Sequence, residues 1–192
     1  MATKGENTRA RILDAAAQLF TEKGYSSVTM KDVCEATGLS RGGLYRNFGS
    51  TAEMMIRLME QEQQHADINM ENVRSKGTGA EAMLEGFLQY HYSFMMSSRG
   101  RLELAMNQFA LTSEEGRQAY DKRVKMAVRR LSNMICQGQQ EGVFRQQDAE
   151  MTAWNVMMLI GGMRIHAVLE GFESEFIKRQ LLSIKDYIIE IK

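Results

Sequence analysis

The side chains of this chain best suited to chemistry are hydrogen-bond donors rather than nucleophiles or paired acids. Arg41, Arg46 and Asn47 lie close together, with Ser40, Gly42, Gly43 and Tyr45 around them. Guanidinium groups grip phosphate oxygens or read guanine edges, and a carboxamide pairs with a base edge or a phosphate. Two adjacent glycines leave backbone bare, so it can come close to a ligand. Thr29 and Lys31 upstream and Thr51 downstream add groups that could fix docking on phosphates. This set is the candidate DNA-binding site.

Other chemistry is poorly supplied. Glu62 and His65 have the i, i+3 spacing used by di-iron carboxylate bundles, but such a site needs a second Glu-x-x-His pair. Leu88 stands three residues before His91 and Met163 three before His166, so the pair reads as a solvated helix face. No phosphate loop, zinc-protease helix or nucleophile elbow occurs. The expectation is a protein that is not an enzyme and carries no cofactor or metal. Cys34 and Cys136, the two thiols, lack metal or redox spacing and read as small buried hydrophobes.

The elements that must position the donors are two short helices. Met30, Val33 and Cys34 recur at i, i+3 and i+4, and Leu44 with Phe48 repeats the pattern beyond Gly38. Thr29 can cap the first helix with Asp32 reaching back, and Ser40 can cap the second. Gly38 suits the left-handed residue that ends a helix. The outward face of the second helix is then Arg41, Gly42, Arg46 and Asn47, with Tyr45 beside it, as a helix in a major groove requires.

The 192 residues are 44% hydrophobic and contain no proline. Long stretches of Ala, Leu, Met, Glu, Gln and Arg favour helix, and no window alternates as a strand would, so the fold is expected to be all-α with about nine helices. The net charge is zero, but residues 1–50 carry seven basic groups against five acidic ones. The small excess fits a DNA-reading head on a neutral body. No leader-like or membrane-spanning apolar run occurs, which points to the cytoplasm and to no membrane partner.

Along the chain, residues 1–7 are polar and expected to fray. Ile12, Ala16, Leu19 and Phe20 mark a helix from Thr8 to Lys23, stopped by Gly24. Ile12, Leu19, Phe20, Val33, Leu39, Leu44 and Phe48 should share one small core. Ser50 with Glu53 caps a helix towards Arg74, and residues 75–79 form a loop. Helices follow over 80–97 and 101–111, with Thr112 and Glu115 as the capping box of a long helix to about Glu141. Asp148 caps the next, over 149–170, and Ser174 opens the last, whose apolar stripe reaches Ile191.

The 16 methionines need a use. Methionine fills irregular core gaps and also lines pockets for varied apolar ligands. Tyr90, Phe94, Met95, Phe109, Met126, Trp154, Met157, Met158 and Met163 would suit such a lining. His91, His166 and Arg164 are the polar groups placed to orient a ligand there. The last two helices are apolar beyond one buried face, and Ile160, Val168, Leu181, Leu182, Ile188 and Ile189 suggest a second partner surface. Gly161 and Gly162 would allow close helix approach or leave room for a ligand.

The segment LFTEKGYSSVTM, the two helices after it, and LSRGGLYRNFGSTAEMM resemble the N-terminal DNA-binding domain of the TetR family of transcriptional regulators, over about Arg9 to Met55. The resemblance implies a DNA-binding domain over 1–50 and an effector-binding and dimerisation domain over 51–192. It implies a homodimer whose recognition helices read a near-palindromic double-stranded DNA operator. The expected function is repression, released by a largely apolar small-molecule effector bound in the body. It also implies dimerisation through the final two helices, which adds Ile184 to the expected interface of Ile160, Gly161, Val168, Leu181, Leu182 and Ile188. Thr51 stands where the family usually has a phosphate-anchoring lysine, and Gly43 where it often has Thr, Ser or Ala. These two departures, with zero net charge, leave a helical protein-interaction module without an operator as the alternative.

Overall fold

The computed structural model describes residues 4–74, 79–97, 100–171 and 173–189. It contains helices α1 (Lys4–Lys23), α2 (Met30–Thr37), α3 (Arg41–Tyr45), α4 (Thr51–Arg74) and α5 (Ala80–Met95). These are followed by α6 (Gly100–Thr112), α7 (Glu114–Gln140), α8 (Ala149–Leu169) and α9 (Ser174–Ile188), and a 3-10 turn spans Tyr25–Ser27 between α1 and α2. The all-α expectation holds, and the described residues form no strand of their own. Residues 75–78 of the expected loop, and Ile191, lie outside the described residues.

Three details of the helix boundaries differ from expectation. α1 begins at Lys4, so much of the polar stretch thought to fray is helical. Thr112 does not open α7, because its hydroxyl donates back to the Gln108 carbonyl at 2.8 Å and closes α6. Ser113 is the cap instead, its Oγ accepting from Gly116 N at 2.9 Å. Glu53 reaches back to the N–H of Gly49 rather than to that of Ser50, while Ser50 Oγ accepts from Glu53 N at 3.0 Å.

The chain divides into two compact units. The first, the head, comprises residues 1–63 and 101–122, and the second, the body, comprises 64–100 and 123–192. The division by packing thus falls elsewhere than the boundary expected at 50/51. The start of α4, most of α6 and the start of α7 belong with the head, because their apolar residues share its core.

In the head, Ile12, Ala16, Phe20, Val33, Leu44 and Phe48 are fully or almost fully buried with Met54, Met55, Met106 and Phe109. Leu19 and Leu39, expected inside, lie at the margin of this cluster and are partly buried. Burying each large apolar side chain contributes roughly 1.5–3 kcal/mol. In the body, Leu84, Leu88, Leu131, Met134, Ile135, Phe144, Val156, Ile160, Ile177, Leu181, Ile184 and Ile188 form the core. The chain after α7 is pinned to the end of α9, where Arg145 N donates to the Ile188 carbonyl at 3.0 Å and Arg145 Nε to the Ile189 carbonyl at 2.9 Å. Cys34 is partly buried, whereas Cys136 is exposed, because the helix face of Leu131 and Ile135 takes the core side of α7.

No helix among the described residues is long and apolar enough to cross a membrane.

Candidate nucleic-acid interface

The local sequence sets α2 and α3 through their caps. Thr29 Oγ1 accepts from Asp32 N at 3.3 Å, and Asp32 accepts from Thr29 N at 2.8 Å and from the Thr29 hydroxyl. Lys23 Nζ donates to the other Asp32 oxygen at 2.9 Å. The Thr29 hydroxyl and then Lys23 hold the Asp32 carboxyl well below the usual carboxylate range, and Asp32 in turn raises Lys23. Gly38 ends α2 at φ 69°, its N–H donating to the Cys34 carbonyl at 2.9 Å. A side chain at that φ would strain the turn.

Ser40 Oγ then accepts from Gly43 N at 3.2 Å and opens α3. Leu44, fully buried, and Phe48 anchor the inner side of this short helix. Arg41, Gly42, Tyr45 and Arg46 are left exposed on its outer side. The Arg41 guanidinium lies 5.5 Å from the centre of the Tyr45 ring. Arg46 Nε donates to the Gly42 carbonyl at 3.3 Å, and Asn47 Nδ2 to the Gly43 carbonyl at 2.9 Å. Asn47 is half-buried, so its amide secures the end of α3. Lys31 is exposed, 3.7 Å from Glu35.

Thr51 is half-buried with its hydroxyl near that of Tyr25. Burial pushes the Tyr25 hydroxyl up, and the neighbouring Thr51 hydroxyl offsets part of that. Arg9 stands over the Phe48 ring at 4.4 Å and 3.6 Å from Glu53, which fixes a further cation on the head.

α6 also takes part here. Gln108 Oε1 accepts from Ser26 N at 3.3 Å, and the Phe109 ring lies 4.6 Å from that of Tyr25. α6 therefore braces the turn that leads into α2. No local pattern marks this, because an apolar stripe does not say which core it enters.

The expected pocket residues separate into three groups. Phe109 is fully buried in the head, which corrects its assignment to a lining shared with Phe94 and Trp154. Met126, Met158 and His166 are exposed, so they do not line an interior of the body; His166 Nδ1 lies 3.3 Å from Glu170 on the surface. His91, Phe94 and Met95 are buried, while Trp154 and Met157 pack partly buried against the body core. Tyr90 is half-buried, its ring 5.3 Å from that of His91. Arg164 is buried, its Nη2 lying 2.8 Å from His91 Nδ1 and its Cζ 4.0 Å from the Phe94 ring centre. A guanidinium only donates, so Nδ1 accepts and the neutral imidazole carries its proton on Nε2. Burial, then Arg164 and Arg123, push the His91 pKa well below its ordinary value.

The expected interface residues also divide. Ile160, Leu181, Ile184 and Ile188 are buried in the body core and unavailable to a partner, which corrects their assignment. They are the core-facing half of two helices that are apolar on more than one side. Val168 is half-buried beside Gly100. Leu182 is exposed, and open space surrounds Gly161 and Gly162. The exposed apolar stripe is instead Met151, Met158, Leu159, Ile165 and Leu169 on α8, with Phe176, Leu182 and Tyr187 on α9. Among the described residues no group of three or more His, Cys, Asp or Glu is placed to hold a metal ion.

Known proteins resemble the chain in both parts. The model of "bacterial regulatory proteins, tetR family" matches residues 12–58, and that of a "tetracyclin repressor-like, C-terminal domain" matches residues 77–164. The HTH-type transcriptional regulator YfiR of Bacillus subtilis is 32% identical over 148 residues, covering 73% of this chain and 69% of YfiR. The HTH-type transcriptional repressor KstR2 of Rhodococcus jostii is 24% identical over 155 residues, covering 76% of each chain. In fold, a transcriptional regulator of Saccharomonospora viridis, crystallised in complex with choline, superposes with a TM-score of 0.82 at 20% identity, covering 96% of this chain and 99% of that one.

Proposed function

The chain belongs to the TetR family of bacterial regulatory proteins and is a DNA-binding transcriptional regulator; from that premise we propose that it is a homodimeric repressor released from its operator by a small molecule. The observation that carries the DNA assignment is the outer face of α3, where Arg41, Tyr45 and Arg46 are exposed on a helix fixed by the Ser40 cap and by buried Leu44. Arg41 and Arg46 would bind phosphates or guanine edges, while Thr29, Lys31, Ser40 and Tyr45 would fix the docking through phosphates. Asn47 would act by holding the helix end, and Thr51 by packing beside Tyr25. Such a protein works on DNA in the cytoplasm.

The exposed apolar stripe of α8 and α9 supports dimerisation through these helices, since a second copy would remove it from water. Two heads would then read half-sites one helical turn apart, about 34–36 Å. A largely apolar effector would enter the body near Tyr90, His91, Phe94, Met95, Trp154 and Met157, with His91 and Arg164 orienting it. α4 and α7 each run from one unit into the other, so they are the elements through which the body would act on the head. A coupling of about 1–3 kcal/mol would weaken operator binding roughly 5- to 150-fold, and operator would weaken effector binding by the same factor.

The test is the double variant Arg41→Ala with Arg46→Ala in a DNA-binding titration. Each arginine should contribute about 1–3 kcal/mol if it reads a base, so sequence-specific binding should be lost while the fold and dimer persist. Unchanged specific binding would refute the assignment of α3.

A further inference from the structure

The two adjacent glycines of α3 have different reasons to be glycine. Gly43 stands against the cap: a Cβ there would lie 3.2 Å from Ser40 Oγ and 4.0 Å from the Leu39 side chain. Gly42 has no such reason. Its backbone is ordinary right-handed helix, outside the positive-φ glycines 24, 38, 142 and 171, and a Cβ there would meet nothing within 4 Å. Alanine would fit and would favour the helix, because glycine is among the poorest helix formers. The packing of the chain does not require this weakness in a five-residue helix.

Gly42 lies on the exposed side of α3, between two side chains that run along the helix. The Arg41 guanidinium turns towards the Tyr45 ring, and Arg46 folds back so that its Nε reaches the Gly42 carbonyl. The backbone between them is left bare where the surface would meet a base edge. A glycine methylene has no hydrogen-bonding group to offer from its Cα, so it matches the apolar feature of the major groove, the C5-methyl of thymine.

We propose that Gly42 is a specificity-determining position whose missing side chain makes room for a thymine methyl packed against its Cα. This rests on the reading of α3 as the helix that enters the groove. Arg41 and Arg46 supply affinity on either side of the gap, and the gap selects a base that a larger residue would exclude.

The experiment starts by enriching duplexes from a random-sequence library with the full-length protein. The best duplex is then resynthesised with deoxyuridine in place of each thymidine in turn, and a scrambled duplex serves as the non-specific probe. At one thymine per half-site, removal of the methyl should weaken binding by the wild type about 3- to 5-fold, the worth of one buried methyl. Gly42→Ala should melt no lower than the wild type and bind the scrambled duplex equally well. It should bind the thymine duplex at least about 10-fold more weakly, because its methyl overpacks the site, and should recover on the uracil duplex. Equal binding of the thymine duplex by Gly42→Ala and the wild type would overturn the proposal, as would the absence of any thymine whose methyl matters. If the wild type enriches no sequence at all, the reading of α3 falls and this proposal with it. Enrichment by the wild type with an indistinguishable Gly42→Ala removes only the assignment of Gly42.

Discussion

In the head, the helix starts are secured from within a few residues: Thr29 with Asp32, Ser40 with Gly43, Ser50 with Glu53. In the body, Asp148 caps α8 in the same local way, but the start of α5 depends on Glu141, which accepts from Ala80 N at 2.8 Å across 61 positions of sequence. The buried polar pair of the body, His91 with Arg164, likewise joins residues 73 apart. The helix starts of the reading surface are therefore set by short-range chemistry, although α6 braces the turn before α2 from 82 positions away. The body is tied by distant contacts and by helices apolar on two sides.

The largest expected effect tests where the head ends. Phe109→Ala should destabilise by about 3–5 kcal/mol, as removal of a fully buried ring does. Hydrogen exchange should report the loss in α1, α2 and α3, although residue 109 lies far from them in sequence. Loss confined to α5, α8 and α9 would break the division. Next, Gly138→Ala would place a Cβ 2.0 Å from the Phe144 ring, so the body should lose about 1–3 kcal/mol through overpacking. A denaturant titration following Trp154 fluorescence would read this in the body, and exchange protection in α2 should hardly change.

Thr29→Ala should cost about 1 kcal/mol, felt in α2, by removing one half of the capping box. Thr29→Ser, which keeps the hydroxyl, should recover most of it. A melt unchanged by Thr29→Ala would mean that the local caps do not hold the head.

The smallest effect separates the units by pH. His91 is neutral in the fold with its pKa pushed well down, whereas the unfolded chain takes up a proton near pH 6.5, so the body should lose stability as pH falls below about 6.5. Asp32 in the head is depressed instead, so its contribution is complete above about pH 4 and is lost only as pH falls from there through the folded value. Exchange measured at pH 7 and pH 5.5 should show the body loosening first. Simultaneous loosening of head and body between these values would contradict the assignment.

The same contrast explains what could be read from the residues. Thr29, Gly38 and Ser40 declared the two helices and their turn because capping chemistry works at i, i+3 and needs no knowledge of the rest. The Arg41, Tyr45 and Arg46 face followed from helical spacing alone. Asn47 and Thr51 are legible as polar but not as inward-facing, since their neighbours, the Gly43 carbonyl and Tyr25, are set by the folded turn. Phe109 cannot be placed from sequence, because its helix stripe fits either core. On α8 and α9, Ile160, Leu181, Ile184 and Ile188 could not be told from Met158 and Leu182 by type, and only packing shows which side faces the body core.

DNA binding by a dimer is tested most directly by one measurement: the salt dependence of binding to a duplex enriched from a random library, followed at about 50–200 mM salt. A dimer that makes about six to ten phosphate contacts should lose roughly 10³ to 10⁵ in affinity over that range. The enriched duplex should hold two inverted half-sites about one helical turn apart. A duplex with a single unrepeated site, or binding that does not change with salt, would contradict it.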